Sequence, residues 1–194
     1  VDQAVYGTNE EGRQIFQYGG DAGRYPATDG NFNCNGLIAP DRRYNPHAYE
    51  VRQQYQNIWI TPVNTAKGIF NIYNENFFTD LSAYKLVWKI FVNGVEACEG
   101  MEKLPAVAPQ ATAKATFRNI AKALADVSAD AADGSEITLG TEFCLKEDAP
   151  LLKAGYAVAR DQFVIDAYDF PTEESILAEN NPEEQEKGDE ALAW

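Results

Sequence analysis

The chain of 194 residues carries a single histidine, His47, and a single methionine, Met101. With one imidazole, a serine–histidine–acid triad or a histidine-rich zinc site would have to rest on His47 alone, so most hydrolytic chemistry that depends on histidine is excluded. Cysteine is sparse too. Cys34, Cys98 and Cys144 lie far apart without a C-x-x-C spacing, which speaks against metal binding and predicts reduced or buried thiols; one disulfide with one cysteine left over is also compatible with that spacing. Basic residues are short, 16 Lys and Arg against 30 Asp and Glu, for a formal charge of -14. Such a charge repels a phosphate backbone and an anionic lipid surface, so neither nucleic acid nor membrane is expected as a partner. No stretch approaches the ~18 consecutive apolar residues of a membrane span, and Val1-Asp2-Gln3 offers neither a basic n-region nor an apolar h-region. No compartment follows from that. The missing Met at position 1 predicts an amino terminus made by processing or by design, and a chain that is a piece of something longer.

What is present suits a globular domain. Hydrophobic residues make up 45% and aromatics 12%, with 10 Tyr, 10 Phe and 3 Trp, enough to bury a core. Between residues 56 and 170 the sequence alternates as strands do. Leu86, Trp88, Ile90 and Val92 interleave with Val87, Lys89, Phe91 and Asn93, and Asn93-Gly94 supplies a two-residue hairpin turn. Ile137, Leu139, Thr141, Phe143 and Leu145 alternate with Glu136, Thr138, Gly140, Glu142 and Cys144 behind an Asp133-Gly134 turn, the pattern of a strand with one buried and one wet face. Further strands are expected over 58–63, 68–73, 113–117 and 156–165. About seven strands over about 110 residues predict an immunoglobulin-like antiparallel β-sandwich, with Trp88 as a core anchor. Residues 122–127 fit either a short helix or a loop, since Ala-rich propensity competes there with short length.

The flanks differ from this middle. Gly, Asn, Asp and Tyr crowd residues 18–43, and a helix is expected only from Asn45-Pro46 towards Tyr55, with Asn as cap and Pro in the first position. A loop of that length without periodicity fits a compact protein when it serves a neighbouring site. From Pro171 to Trp194 there are eight acids and one base, half of the net charge, which reads as a solvated linker or tail with short helix starts at Thr172-Glu173-Glu174 and Asn181-Pro182-Glu183-Glu184.

The long loop carries a family resemblance. Tyr18-Gly19-Gly20-Asp21, Asp29-Gly30-Asn31-Phe32 and Asn35-Gly36-Leu37-Ile38-Ala39-Pro40-Asp41-Arg42 closely resemble the loop after the last barrel strand in large beta-galactosidases of glycoside hydrolase family 2. Val1-Asp2-Gln3 resembles the end of that strand, Pro46 and Tyr49-Glu50-Val51 the helix that closes the barrel, and residues 84–94 the tryptophan-bearing hairpin of the immunoglobulin-like domain that follows. The resemblance implies three parts: the carboxy-terminal end of a TIM-barrel catalytic domain over 1–55, the β-sandwich over 56–170 and an acidic linker or tail over 171–194. It also implies what this stretch leaves out. Retaining enzymes of the family use two glutamates about 5 Å apart, one as acid and base and one as nucleophile, and in the family both lie before the position of Val1. No carboxylate here matches them, so no catalytic residue is expected, and Glu10, Glu11, Glu142 and the tail acids read as surface charge.

By the same resemblance the Phe32 backbone carbonyl and the Asn35 side-chain oxygen would ligate a monovalent cation, Asn35 would also touch substrate, and Asp29 would support the turn. Sodium, with magnesium, is thereby implied for the full-length enzyme and no cofactor for this stretch alone. The implied partners are a galactoside held by the missing barrel, the rest of the parent chain, and other copies in a homo-oligomer. Departures from the family pattern are Ala22 for an aromatic, Arg24 for an acid, an extra residue between Pro26 and Asp29, and Asn45 for His, while His47 is expected to be an exposed helix residue. Read without the resemblance, Asn31, Asn33 and Asn35 are turn formers. The alternative from another class is a free-standing sandwich that binds carbohydrate or protein, which a gene beginning near Val1 would favour over one continuing upstream into a barrel.

Overall fold

The computed structural model describes residues 5–17 and 35–172. The chain divides into two compact units, Val1–Gln56 and Asn57–Trp194. In the first, β1 (Val5–Thr8) and β2 (Gln14–Gln17) form an antiparallel hairpin with Tyr6 opposite Phe16. Its turn is built by Asn9, whose Oδ1 accepts the amides of Glu11 and Arg13 at 3.1 and 2.8 Å, and by Gly12 at φ 77°. An asparagine bonding forward to its own turn and a glycine in the left-handed region are ordinary turn chemistry. The only helix expected before residue 56 is found, as α1 (Pro46–Gln54).

The second unit is the expected sandwich. One sheet orders β3 (Ile58–Asn64), β4 (Ile69–Asn74) and β7 (Ala111–Thr116); the other orders β6 (Val95–Glu102), β5 (Tyr84–Val92), β8 (Ile137–Leu145) and β9 (Ala157–Asp166). All neighbours are antiparallel. The β5–β6 hairpin turns through Asn93 and Gly94, at φ 50° and 78°, so both central residues take the positive φ that matches the twist of the flanking strands.

Strand alternation fixes which side chains form the core. On β4, Phe70 and Ile72 face inward opposite Ala115 and Ala113 of β7; on β5, Leu86, Trp88 and Ile90 face inward opposite Phe143, Thr141 and Leu139 of β8. Phe70 also meets Phe117 and Phe163, at ring-centroid distances of 6.0 and 6.2 Å, which joins the two sheets. Two glycines owe their identity to close packing. A Cβ on Gly68, at φ 64°, would lie 2.1 Å from the Phe117 carbonyl oxygen, and one on Gly100 would lie 2.3 Å from Cζ2 of Trp88.

The ambiguous segment at 122–127 is the core of a longer helix, α2 (Arg118–Asp130). Ile120 and Leu124 are buried, with Ala123 and Val127 packed against the same cluster, so an i, i+3, i+4, i+7 stripe anchors the helix to the sandwich. Cys98 and Cys144 are free thiols, half-buried and buried, and burial first and nearby carboxylates second push both upward. Cys34 lies outside the described residues, as do the amino-terminal strand end and the helix starts expected beyond Thr172.

Candidate functional site

Of the three residues singled out for the cation and substrate loop, Asp29 and Phe32 lie outside the described residues and Asn35 lies within them, exposed. The segment that follows Asn35 is an ordered turn. Ile38 and Tyr44 form an antiparallel bridge; within it the Ala39 amide donates to the Arg43 carbonyl at 2.8 Å and the Arg42 amide to the Ala39 carbonyl at 2.9 Å. Arg42 sits at φ 72°, in the left-handed region that a non-glycine residue enters only when its surroundings hold it there. Asp41 does that holding. Its Oδ1 accepts the Arg43 amide at 3.2 Å, and its Oδ2 accepts from Nε of Arg43.

Burial pushes the Asp41 carboxyl up, but the amide, the guanidinium hydrogen bond and the guanidinium charge of Arg43 together outweigh it and hold the group below its ordinary 3.8. A carboxyl depressed in the folded state keeps its interaction at every pH above the ordinary aspartate range and loses it only as the pH falls through the lowered value. The expected result of an acid titration followed by NMR is that the Arg43 amide shift moves at a lower pH than an unpaired aspartate would give. In Arg43→Ala the Asp41 titration returns towards 3.8. An unshifted titration in the native chain would contradict this assignment.

Asn45 takes the cap position with Pro46 at the start of α1, as its sequence predicts, but its side chain makes no capping bond. The amide is used elsewhere: Nδ2 of Asn45 donates to the Gly36 carbonyl at 2.6 Å, while the Asn45 backbone amide donates to the Leu37 carbonyl at 3.0 Å. One side chain thereby fixes the backbone immediately after Asn35 to the start of a helix. His47 is exposed on α1, and Tyr44 and Tyr49 meet edge to face at 5.9 Å.

With the Asp41 carboxylate committed to Arg43, the oxygen left at the start of this turn is neutral. Asn35 presents an amide oxygen, a donor that suits a hard monovalent cation, and the Gly36 carbonyl is already engaged by Asn45. Among the described residues no three His, Cys, Asp or Glu side chains converge on a metal position.

Comparison with known proteins finds relatives over most of the chain. Residues 70–166 match the family model described as beta-galactosidase, domain 4. A protein named beta-galactosidase from Priestia megaterium is 39% identical over 166 residues, covering 86% of this chain and 15% of the relative. Relatives of the same name from Halalkalibacterium halodurans and Aeromonas hydrophila subsp. hydrophila are 33% and 32% identical over 164 and 129 residues, covering 84% and 58% of this chain and 15% and 12% of their own. The chain spans about 15% of the length of the first two.

Proposed function

Because the chain belongs to the beta-galactosidase family, we propose that it works as part of a longer, retaining beta-galactosidase, bringing the last active-site loop of the barrel and the structural sandwich that follows. The observation that carries this reading is the identity to a protein of that name over 86% of the chain, well beyond the sandwich strands alone. The two glutamates of the reaction would come from the remainder of the parent chain, one protonating the leaving oxygen and one forming the glycosyl intermediate. Asn35 would lend its amide oxygen to a sodium ion, beside the backbone carbonyl of Phe32, and would touch the sugar hydroxyls; Asp29 would hold the turn. Magnesium and a homo-oligomeric state belong to the same reading of the parent enzyme. Sodium supplies a fixed positive charge that orients substrate oxygens, and this stretch alone, with two neutral oxygens, would bind it weakly or not at all. The galactoside preferred by the parent is read by such loops, so the changes at Ala22 and Arg24 bear on linkage specificity.

The test is Asn35→Ala in the full-length enzyme, with galactoside kinetics measured over a range of sodium concentrations. Losing a polar contact that the parent enzyme would bury, worth about 1 to 3 kcal/mol, lowers kcat/KM by roughly 5- to 150-fold and flattens the sodium response, with little change in melting temperature. The chain of 194 residues alone, lacking acid and nucleophile, hydrolyses no aryl galactoside. Unchanged kinetics and sodium response in Asn35→Ala would remove the cation role from this loop; hydrolysis by the isolated chain, free of host enzyme, would remove the division of labour.

A further inference from the structure

Gly140 occupies the middle of β8, a central strand, on the outward face of the four-stranded sheet. Glycine weakens a strand interior, and where it persists it marks a bulge, a tight bend or the close approach of something to the backbone. The sandwich shows what such need looks like: Gly68 is required by its positive φ and the Phe117 carbonyl, Gly100 by the Trp88 ring. Gly140 is under a milder constraint. Its φ lies outside the positive range, and an added Cβ would meet the Lys89 carbonyl oxygen at an ordinary 3.8 Å and Cε2 of Phe91 at a tight 3.3 Å, which the edge of that ring must relieve by a few tenths of an ångström. The ladder is regular there, with Lys89, Gly140 and Gln162 in one row across β5, β8 and β9.

The missing side chain leaves a hole in a grid. The row on one side is Val87, Glu142 and Arg160; the row on the other is Phe91, Thr138 and Val164. All of these but Val164 line a depression of about 380 Å³, near the lower end of the ~300–1,000 Å³ of small-molecule sites. Its apolar surface comes from Val87 and Phe91. Its rim is polar and balanced in charge, Lys89 and Arg160 against Glu136 and Glu142. Three of these four charges are already engaged: Arg160 Nε lies 2.9 Å from Glu142 and the Lys89 ammonium is held by Glu96 and Glu99, while the Glu136 carboxylate stands outside these pairs; Gln162 Nε2 donates to Thr138 Oγ1 at 3.1 Å.

We propose that this depression is a subsite for one or two rings of a neutral saccharide. An anionic ligand would have to break an existing pair and face the Glu136 carboxylate, and a cation would find only Glu136 outside those pairs, whereas a hydroxyl both donates and accepts and can add to the remaining lone pairs and N–H groups of paired side chains. The C–H face of a pyranose ring then covers Phe91 and Val87, which takes apolar surface out of water. The backbone groups of β5 and β8, and those of the edge strand β9 that face β8, are used in the ladder, and ladder groups lie in the plane of the sheet, so the face offers side chains only. The geometry stands independently of the parent's hydrolysis; the choice of a β-galactoside as first probe rests on the proposed function.

The experiment is a titration of the isotopically labelled 194-residue chain with methyl β-D-galactoside, lactose and methyl β-D-glucoside, read in backbone amide shifts. Saturable movement of the Phe91, Gly140 and Gln162 amides is expected, in the millimolar range normal for few contacts, and Gly140→Leu weakens it by roughly tenfold or more. Gln162→Ala, which leaves the strand backbone intact, weakens it less. Movement with the glucoside alone keeps the subsite and breaks its link to the parent's substrate. No saturable movement with any of the three, or movement untouched by Gly140→Leu, overturns the proposal. So does a concentration-dependent dimer that Gly140→Leu abolishes, because the occupant is then a second polypeptide.

Discussion

Trp88→Ala is expected to destabilise the sandwich by about 3 to 5 kcal/mol, the range for truncating a large aromatic in a core that cannot collapse around the loss. Trp88 is 5% exposed on the central strand β5, between Gly100 of β6 and Thr141 of β8 in register. The indole lies so close over Gly100 that a Cβ there would meet three of its ring carbons within 3.0 Å. Those neighbours are backbone and small side chains, which have little freedom to fill the space. The indole Nε1 is buried and finds no hydrogen-bond partner among the described residues. Removing the ring therefore strands no acceptor, and the loss is one of packing. Two companion variants separate this account from a general intolerance of the site. Trp88→Phe keeps much of the ring and discards the unpaired N–H, so it should cost far less than Trp88→Ala. Gly100→Val drives a side chain into the indole and should cost as much as Trp88→Ala. Chemical denaturation of the three variants decides the matter, and near-equal stability of native chain and Trp88→Ala would overturn it.

How far sequence reasoning reaches depends on where a residue leaves its signal. β8 was readable over its full length because nine residues alternate without interruption, and the β5–β6 hairpin because Asn93-Gly94 names its own turn. α2 was only half readable: two of the four residues in its buried stripe are Ala123 and Val127, one barely apolar and the other a poor helix former, so the periodicity is faint. The β1–β2 hairpin has four-residue strands, too short for alternation to show, although Asn9 and Gly12 carried the turn chemistry. Asn45 is legible as a cap, yet its bond reaches Gly36, nine residues back, only because the Ile38–Tyr44 bridge folds the segment on itself. The cation loop is the extreme case. Phe32 would act through a backbone carbonyl that every residue possesses, so neither composition nor spacing could single it out, and only the resemblance to a family did. Gly140 shows the converse limit: alternation gives its outward direction, but only the pairing of rows across β5, β8 and β9 reveals the depression.

Asn74→Ala is expected to cost about 2 to 3 kcal/mol, since it deletes a fully buried hydrogen-bonding hub and leaves a partner carbonyl short of its donor. Asn74 is 0% exposed at the end of β4. Its Nδ2 donates to the carbonyls of Thr79 and Val107, each at 2.9 Å, and its Oδ1 accepts from the backbone and side-chain nitrogens of Asn76 at 3.1 and 2.9 Å. The Val107 carbonyl keeps a second donor in the Leu81 amide, so the stranded acceptor is mainly the Thr79 carbonyl, alongside the half-buried Asn76 nitrogens that lose Oδ1. That asymmetry holds the expected cost below the loss at Trp88. The hub also shapes the loop between β4 and β5, where Phe77 and Phe78 stand 71% and 97% exposed. Untying the loop at one end should raise amide exchange from residue 75 to 79 while β8 and β9 keep their protection, a local opening on top of the global loss. Asn74→Asp is a stricter variant, because at neutral pH it retains the acceptor, removes both donors and sets a buried carboxylate against two carbonyl oxygens. It should be at least as unstable as Asn74→Ala. An Asp variant as stable as the native chain, or exchange in the loop unchanged by Asn74→Ala, would show that the loop is held by the Gln110 side chain bridging to the Glu75 and Asn76 carbonyls instead.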